Sequence, residues 1–200
     1  MCWIGGGSGA GKSTVAQELV VRRGAVLYDT DAAMDEHVSR CHMARCPKLR
    51  AFMNMDMDAR WVHRTPQVML DSFHWFEGEG FELIVDDLLA LPRDRPVIAE
   101  GFRLLPKRVV PLLQAPRRAI WLLPTPTFRR RAFDARGTTW DIAHKTNDPE
   151  KALANLLARD ALFTARLRAE IAELGLQAIR VDGSLSPDQL CKDVDDRLFG

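Results

Sequence analysis

Near its amino end the chain reads Gly6-Gly7-Ser8-Gly9-Ala10-Gly11-Lys12-Ser13, a G-x-x-x-x-G-K-[ST] pattern that permits very few folds. Each position has a physical task. Glycines take backbone conformations that a Cβ bars. Successive N–H groups can then turn inward around phosphate oxygens. Lys12 reaches the β- and γ-phosphates, and Ser13 offers its hydroxyl to Mg²⁺. Such a loop works between a strand and a helix whose N-terminus faces the anion. The flanks comply: Cys2-Trp3-Ile4 reads as a short apolar strand, and Ser13 to Val20 reads as the helix. Gly6, Gly7, Ser8, Gly9, Ala10, Gly11, Lys12, Ser13 and Thr14 are therefore the expected cradle for a nucleoside triphosphate.

Further strands are predicted at Ala25-Val26-Leu27-Tyr28, Pro96-Val97-Ile98-Ala99, Ala119-Ile120-Trp121-Leu122-Leu123 and Ala178-Ile179-Arg180-Val181. Helical patterns separate them. One region runs from about 32 to 60, interrupted at Pro47, and another from Pro66 to Phe76 with apolar Val68, Met69, Phe73 and Phe76 at mixed three- and four-residue spacing. A third covers 81–89, and a long one covers 149–174. Ser186-Pro187 opens the last helix, with Ser as N-cap and Pro at the first helical position. Strands alternating with helices predict a parallel sheet covered on both faces. Ligands of such sheets sit beyond the carboxyl ends of the strands.

Composition narrows the function classes. With 200 residues the expectation is one domain spanning 1–200. A formal net charge of +1 gives no global field toward nucleic acid or membrane. No apolar stretch is long enough to span a bilayer, and the first strand begins too early to leave room for a signal peptide. A cytoplasmic protein is expected, with Cys2, Cys41, Cys46 and Cys191 as free thiols. His37, Cys41, His42 and Cys46 do not show the spacing of paired metal ligands, so packing and surface roles are favoured over zinc.

The chemistry gathers at the predicted strand ends. Asp29-Thr30-Asp31 follows the second strand. Asp29, nearer the strand, suits the water shell of Mg²⁺, and Asp31 suits the base that accepts a hydroxyl proton. A turn and helix cap is the competing use of this Asp pair. Glu100, ending the third strand, is placed to orient Mg²⁺ water or hold a substrate hydroxyl; Arg103 just beyond it and His74 are further substrate-side candidates. His63, His74, Trp61, Trp75 and Phe76 fall in the segment inserted between the second and third strands, about 32–91, and serve either an acceptor pocket or the core. After the fourth strand come Arg129, Arg130, Arg131 and Arg136. Arginine forks clamp the charge that spreads over a transferring phosphoryl group, and Arg130 and Arg136 are the candidates for that role. The segment of about 126–149 reads as a lid. Arg159, on the next helix, is another residue that can point back at the site.

Gly6 to Ser13 and the order of these motifs resemble the P-loop kinase superfamily of nucleoside, nucleotide and small-metabolite kinases, over nearly the whole chain. Asp29-Thr30-Asp31 is similar to the Asp-Thr-Asp of shikimate kinases, whereas Val97-Ile98-Ala99-Glu100-Gly101 looks like the Glu-Gly strand end of uridine and nicotinamide riboside kinases. The mixture assigns neither substrate. The resemblance implies an α/β fold with a five-stranded parallel sheet in order 2-3-1-4-5, a lid, ATP with Mg²⁺, and phosphoryl transfer to a hydroxyl or phosphate of a small acceptor. The alternative is a regulatory or assembly ATPase without such an acceptor. A polynucleotide end kinase is disfavoured by the lack of a broad basic face.

Overall fold

Five short apolar runs become the five strands of one parallel sheet, in the order β2-β3-β1-β4-β5. The computed structural model describes residues 1–42 and 44–200. In chain order the elements are β1 (Cys2–Gly6), α1 (Lys12–Arg23), β2 (Val26–Asp29), α2 (Met34–Arg40), α3 (Pro47–Met53), α4 (Met57–Trp61), α5 (Pro66–Ser72), α6 (Phe81–Ala90), β3 (Val97–Glu100), α7 (Pro106–Val109), β4 (Ala119–Pro124), α8 (Pro126–Arg136), α9 (Pro149–Glu173), β5 (Gln177–Val181) and α10 (Pro187–Phe199). The expected sheet order is the observed one.

Alternation along the strands sorts the core into two layers. Trp3, Ala99, Trp121 and Leu123 face a cluster with α6, α7 and α9 residues such as Ile84, Val109 and Phe163. Ile4, Ile98, Ile120 and Leu122 face a second cluster with Val15, Ala16 and Leu19 of α1 and Val194 and Leu198 of α10. Both sheet faces are thus covered, as parallel strands require. A third cluster joins the β2–β3 insertion to α9 through Phe52, Trp61, Met69, Leu153 and Leu156.

Local signals set most boundaries. Ser186 and Gln189 form a reciprocal capping box at α10. The side chains of Thr125, Asp148 and Thr65 cap α8, α9 and α5. Two helical expectations are corrected. The region of 32–60 is three short helices, and Pro47 starts the second of them rather than interrupting a longer one, because proline is suited to a first helical turn. The helix from Pro66 ends at Ser72, followed by a separate single 3₁₀ turn at His74–Phe76. That break turns His74, Trp75 and Phe76 all inward.

Free thiols are corrected too. Cys2 and Cys191 are free and buried, but Cys41 and Cys46 form a disulfide. Cys41 is the C-cap of α2 and Cys46 the N-cap of α3, and their Cα atoms lie 6.6 Å apart. The pair packs with Leu49, Val38 and Leu83. Among the described residues no cluster of three His, Cys, Asp or Glu side chains is placed to hold a metal ion, and no helix is long and apolar enough to cross a membrane.

Candidate active site

The phosphate loop joins β1 to α1 at the carboxyl edge of the sheet. Gly6 lies at φ 125°, and a Cβ there would meet the Leu122 carbonyl oxygen at 2.0 Å, so only glycine lets β1 leave the sheet beside β4. Lys12 is buried and its Nζ donates to the Gly7 carbonyl at 3.1 Å. Burial pulls its pKa down, and the carboxylates of Asp31 and Glu100 oppose that pull.

β2 and β3 bring the acidic side chains to the loop. Asp29 and Glu100 are paired in register at the carboxyl ends of these strands, and the Thr30 N–H donates to the Glu100 carbonyl at 2.9 Å. Gly101, at φ 142°, is compelled at the turn: a Cβ there would sit 1.7 Å from Thr30 Oγ1. Asp29 Oδ1 accepts from the N–H groups of Asp31 and Ala32, at 2.8 and 3.1 Å. The turn half of that competing use of the Asp pair therefore belongs to Asp29, while α2 has Ala33 at its N-cap and no side-chain cap; the turn occupies one oxygen that the Mg²⁺ reading would have used. Asp31 accepts from the Thr30 hydroxyl at 3.2 Å. Its pKa is raised, by burial first, with the Lys12 charge pulling it down.

Glu100 differs from both aspartates. It is 1% exposed, and both carboxylate oxygens are buried without a hydrogen-bond partner. Burial raises its pKa, while the nearby Ser13 hydroxyl and the Lys12 ammonium oppose the rise. An orphaned buried carboxylate beside a hydroxyl and a phosphate loop fits a small hard cation, which takes oxygen ligands and is usually shared with substrate phosphates. Ser13 and Glu100 are the protein groups that fit Mg²⁺ here.

Helical periodicity decides the arginine cluster. Arg129, Phe133 and Arg136 share one face of α8. Arg129 is 1% exposed; its Nε donates to the Ser8 carbonyl at 3.1 Å and its Nη2 to the Thr164 hydroxyl. It is a strut under the phosphate loop, a role sequence reasoning missed. Only the three- and four-residue spacing from Arg129 to Phe133 and Arg136 signalled that this face turns inward. Arg136 is exposed and lines a cavity beside the loop. Arg130 points elsewhere, paired with Asp134 through Nε at 3.1 Å, and lines neither cavity described here. Arg103 is buried, donates to the Thr30 carbonyl and meets His37 Nδ1 at 2.8 Å, and lies 3.9 Å over the Trp75 ring. It braces the β2–β3 insertion against the turn after β2 rather than facing open space.

Two cavities meet the loop. One, about 220 Å³, is bounded by Gly9 to Gly11, by Phe128, Ala132 and Arg136 of α8, and by the 180–185 segment after β5. The other, about 370 Å³, touches Ser8 and extends into the β2–β3 insertion between Phe52, Trp61, Phe73, Trp75 and Phe102. His74 and Arg159 line this second cavity, and His63 does not. Its aromatics are therefore pocket and core at once.

Known proteins add one firm assignment. The model of a family described as AAA domain matches residues 1–163. Among solved structures, TT1252 from Thermus thermophilus aligns over 99% of this chain and 97% of its own at 19% identity, with a TM-score of 0.45; that likeness is too distant to bear on function. A search of curated proteins finds no match to the chain.

Proposed function

The chain belongs to the AAA domain family, a nucleotide-binding, P-loop NTPase type of domain, and from that premise we propose that it is an ATP-dependent kinase of a small hydroxylated molecule. The observation that carries this reading is the pair of cavities on either side of one phosphate loop. A hydrolase needs a place for the nucleotide and a water. A second cavity of about 370 Å³, opening on the same loop at Ser8, is the size of a small-molecule site.

The roles follow from position. The cavity lined by Arg136 takes the base and ribose, and the loop N–H groups and Lys12 take the phosphates. Ser13 and Glu100 would hold Mg²⁺, which would neutralise charge on the phosphates. The acceptor enters from the aromatic cavity. Asp31 lines neither cavity but lies beside Lys12, and from there it orients the hydroxyl that reaches the loop; the acceptor oxygen bonds to the γ-phosphorus as the β–γ bridging bond breaks, and Asp31 takes the proton late. Because burial raises its pKa, Asp31 is a better proton acceptor than an exposed aspartate. Arg136, exposed beside the same cavity, closes on the phosphates in this reading.

The test is ADP release from ATP with and without nucleosides, sugars and hydroxy acids. The kinase reading requires release to depend on one of these acceptors, and requires Asp31→Asn to abolish that dependence while ATP binding persists. Equal release in the presence and absence of every acceptor would instead identify a simple ATPase.

A further inference from the structure

The aromatic cavity holds an unanswered charge. Arg159 of α9 lines it and is 8% exposed. Nε and Nη2 both donate to Asp160 Oδ1, at 3.0 and 2.7 Å, but Nη1 is buried with no partner. The guanidinium carbon lies 5.1–5.2 Å from the ring centres of Trp61, Phe73 and Phe76, so the surroundings supply π faces and no further acceptor. A buried donor left unpaired is costly and calls for an explanation.

The neighbouring charges point the same way. Arg60 lies over the Phe52 ring and donates to the carbonyls of Phe52 and Met53. Arg64 bonds the Ser72 hydroxyl and the Arg60 carbonyl. Arg129 bonds only Ser8 and Thr164. Among the described residues, Asp160 is the one carboxylate bonded to any of these arginines or Arg159; Asp35, an exposed residue lining the cavity, bonds none of them. His74, whose Nδ1 is also buried without a partner, is held neutral by burial and by the charges of Arg103 and Arg60.

We propose that the cavity binds a planar, anionic hydroxy compound, its flat body between the aromatic walls and its carboxylate-like group on Nη1 of Arg159. This names the acceptor class and rests on the kinase reading for the fate of the hydroxyl, though not for the binding itself. Arginine recognises a carboxylate by charge-assisted hydrogen bonds, aromatic walls favour a flat ring, and the dimensions admit one small molecule.

Three probes separate the contributions: para-(hydroxymethyl)benzoate, its methyl ester, and the saturated cyclohexane acid, each titrated calorimetrically into the intact protein. The acid is expected to bind about tenfold or more tighter than the ester, from a hydrogen bond to a charged group, and about threefold tighter than the saturated acid. Arg159→Met should bring acid and ester to within about twofold. Because that change strands Asp160, the double variant Arg159→Met/Asp160→Asn, which removes both charges, is measured beside it. Equal affinity for acid and ester in the wild type, an acid preference that survives both variants, a saturated acid that binds as well as the benzoate, or no binding of any probe overturns the proposal. Lys12→Ala separates it from the kinase reading: the acid preference must persist there although transfer is lost. Arg159-dependent acid binding without acceptor-dependent ADP release from any compound would sink the kinase reading alone. Transfer to neutral acceptors only, with no acid preference, would sink this one alone.

Discussion

Replacing Glu100 by Gln should raise stability and lower function, and the structure sets both signs. The side chain is 1% exposed and its two oxygens lack partners. Its pKa in the folded state is raised above the ordinary value of 4.5, by burial against the opposing pull of Ser13 and Lys12. A carboxyl with a raised folded pKa contributes stability below its unfolded value, and that contribution is lost as pH rises through the folded value. At neutral pH the buried Glu100 carboxyl is therefore a cost, one that the like charges of Asp29 and Asp31 increase. Gln has the same shape and no charge. An unsatisfied buried polar group costs about 1–3 kcal/mol and a charged one more; Gln keeps the first cost and sheds only the excess due to charge, so Glu100→Gln should gain on the order of 1 kcal/mol without nucleotide. For a domain of this size each kcal/mol moves Tm by about 2–4 °C, so a rise of a few degrees is expected. The gain should shrink on acidification, as the wild-type carboxyl takes up its proton. With Mg²⁺ and ATP the order reverses: the wild type should gain far more thermal protection than the variant, because the variant lacks the carboxylate that answers the cation. Thermal unfolding of both proteins, with and without MgATP, at neutral and mildly acidic pH, measures all of this. A lower Tm for the ligand-free variant refutes the account of the buried charge, and equal protection by MgATP refutes Glu100 as the Mg²⁺ carboxylate.

Lys12→Ala should leave the fold intact and reduce ATP turnover by about 10² or more, as removing a preorganised electrostatic donor does; near-normal turnover would remove the phosphate loop from the mechanism. Arg136→Ala should lower turnover more than ATP affinity, whereas Arg130→Ala, which only breaks a half-exposed pair with Asp134, should change neither appreciably; steady-state kinetics on both variants decides between the two arginines. His74 has its pKa pushed down to about 3 by burial first, then by the charges of Arg103 and Arg60. The unfolded chain binds the proton more readily, so stability should fall as pH drops from about 6.5 toward that value, by as much as about 1.4 kcal/mol per pH unit. Denaturant titrations of wild type and His74→Phe across this range should show the slope reduced in the variant; an unchanged slope would place the titration elsewhere.

What the sequence determined by itself lay within reach of a few residues. The phosphate loop carries its constraint in the glycine spacing and in Lys12-Ser13. The strands are short apolar runs, and α10 announces its start in Ser186 and Pro187. Parallel pairing followed because helices separate every pair of strands, and that placed Asp29, Asp31 and Glu100 on one edge with the loop. Tertiary structure decided which of these groups remain unsatisfied. Asp29 spends an oxygen on the backbone at its own turn, while Glu100 keeps both oxygens bare; nothing in either side chain's type distinguishes them. The arginine strut joins Arg129 to Ser8 across 121 positions, and Arg103 meets His37 across 66. Arg159 reaches the aromatic cavity only because α9 packs against α5 and α4 of the insertion. A motif records the local backbone conformation that a residue type permits. Burial, partnership and charge balance depend on which distant elements the sheet brings together, and for Arg159 and Glu100 those distant partners define the chemistry.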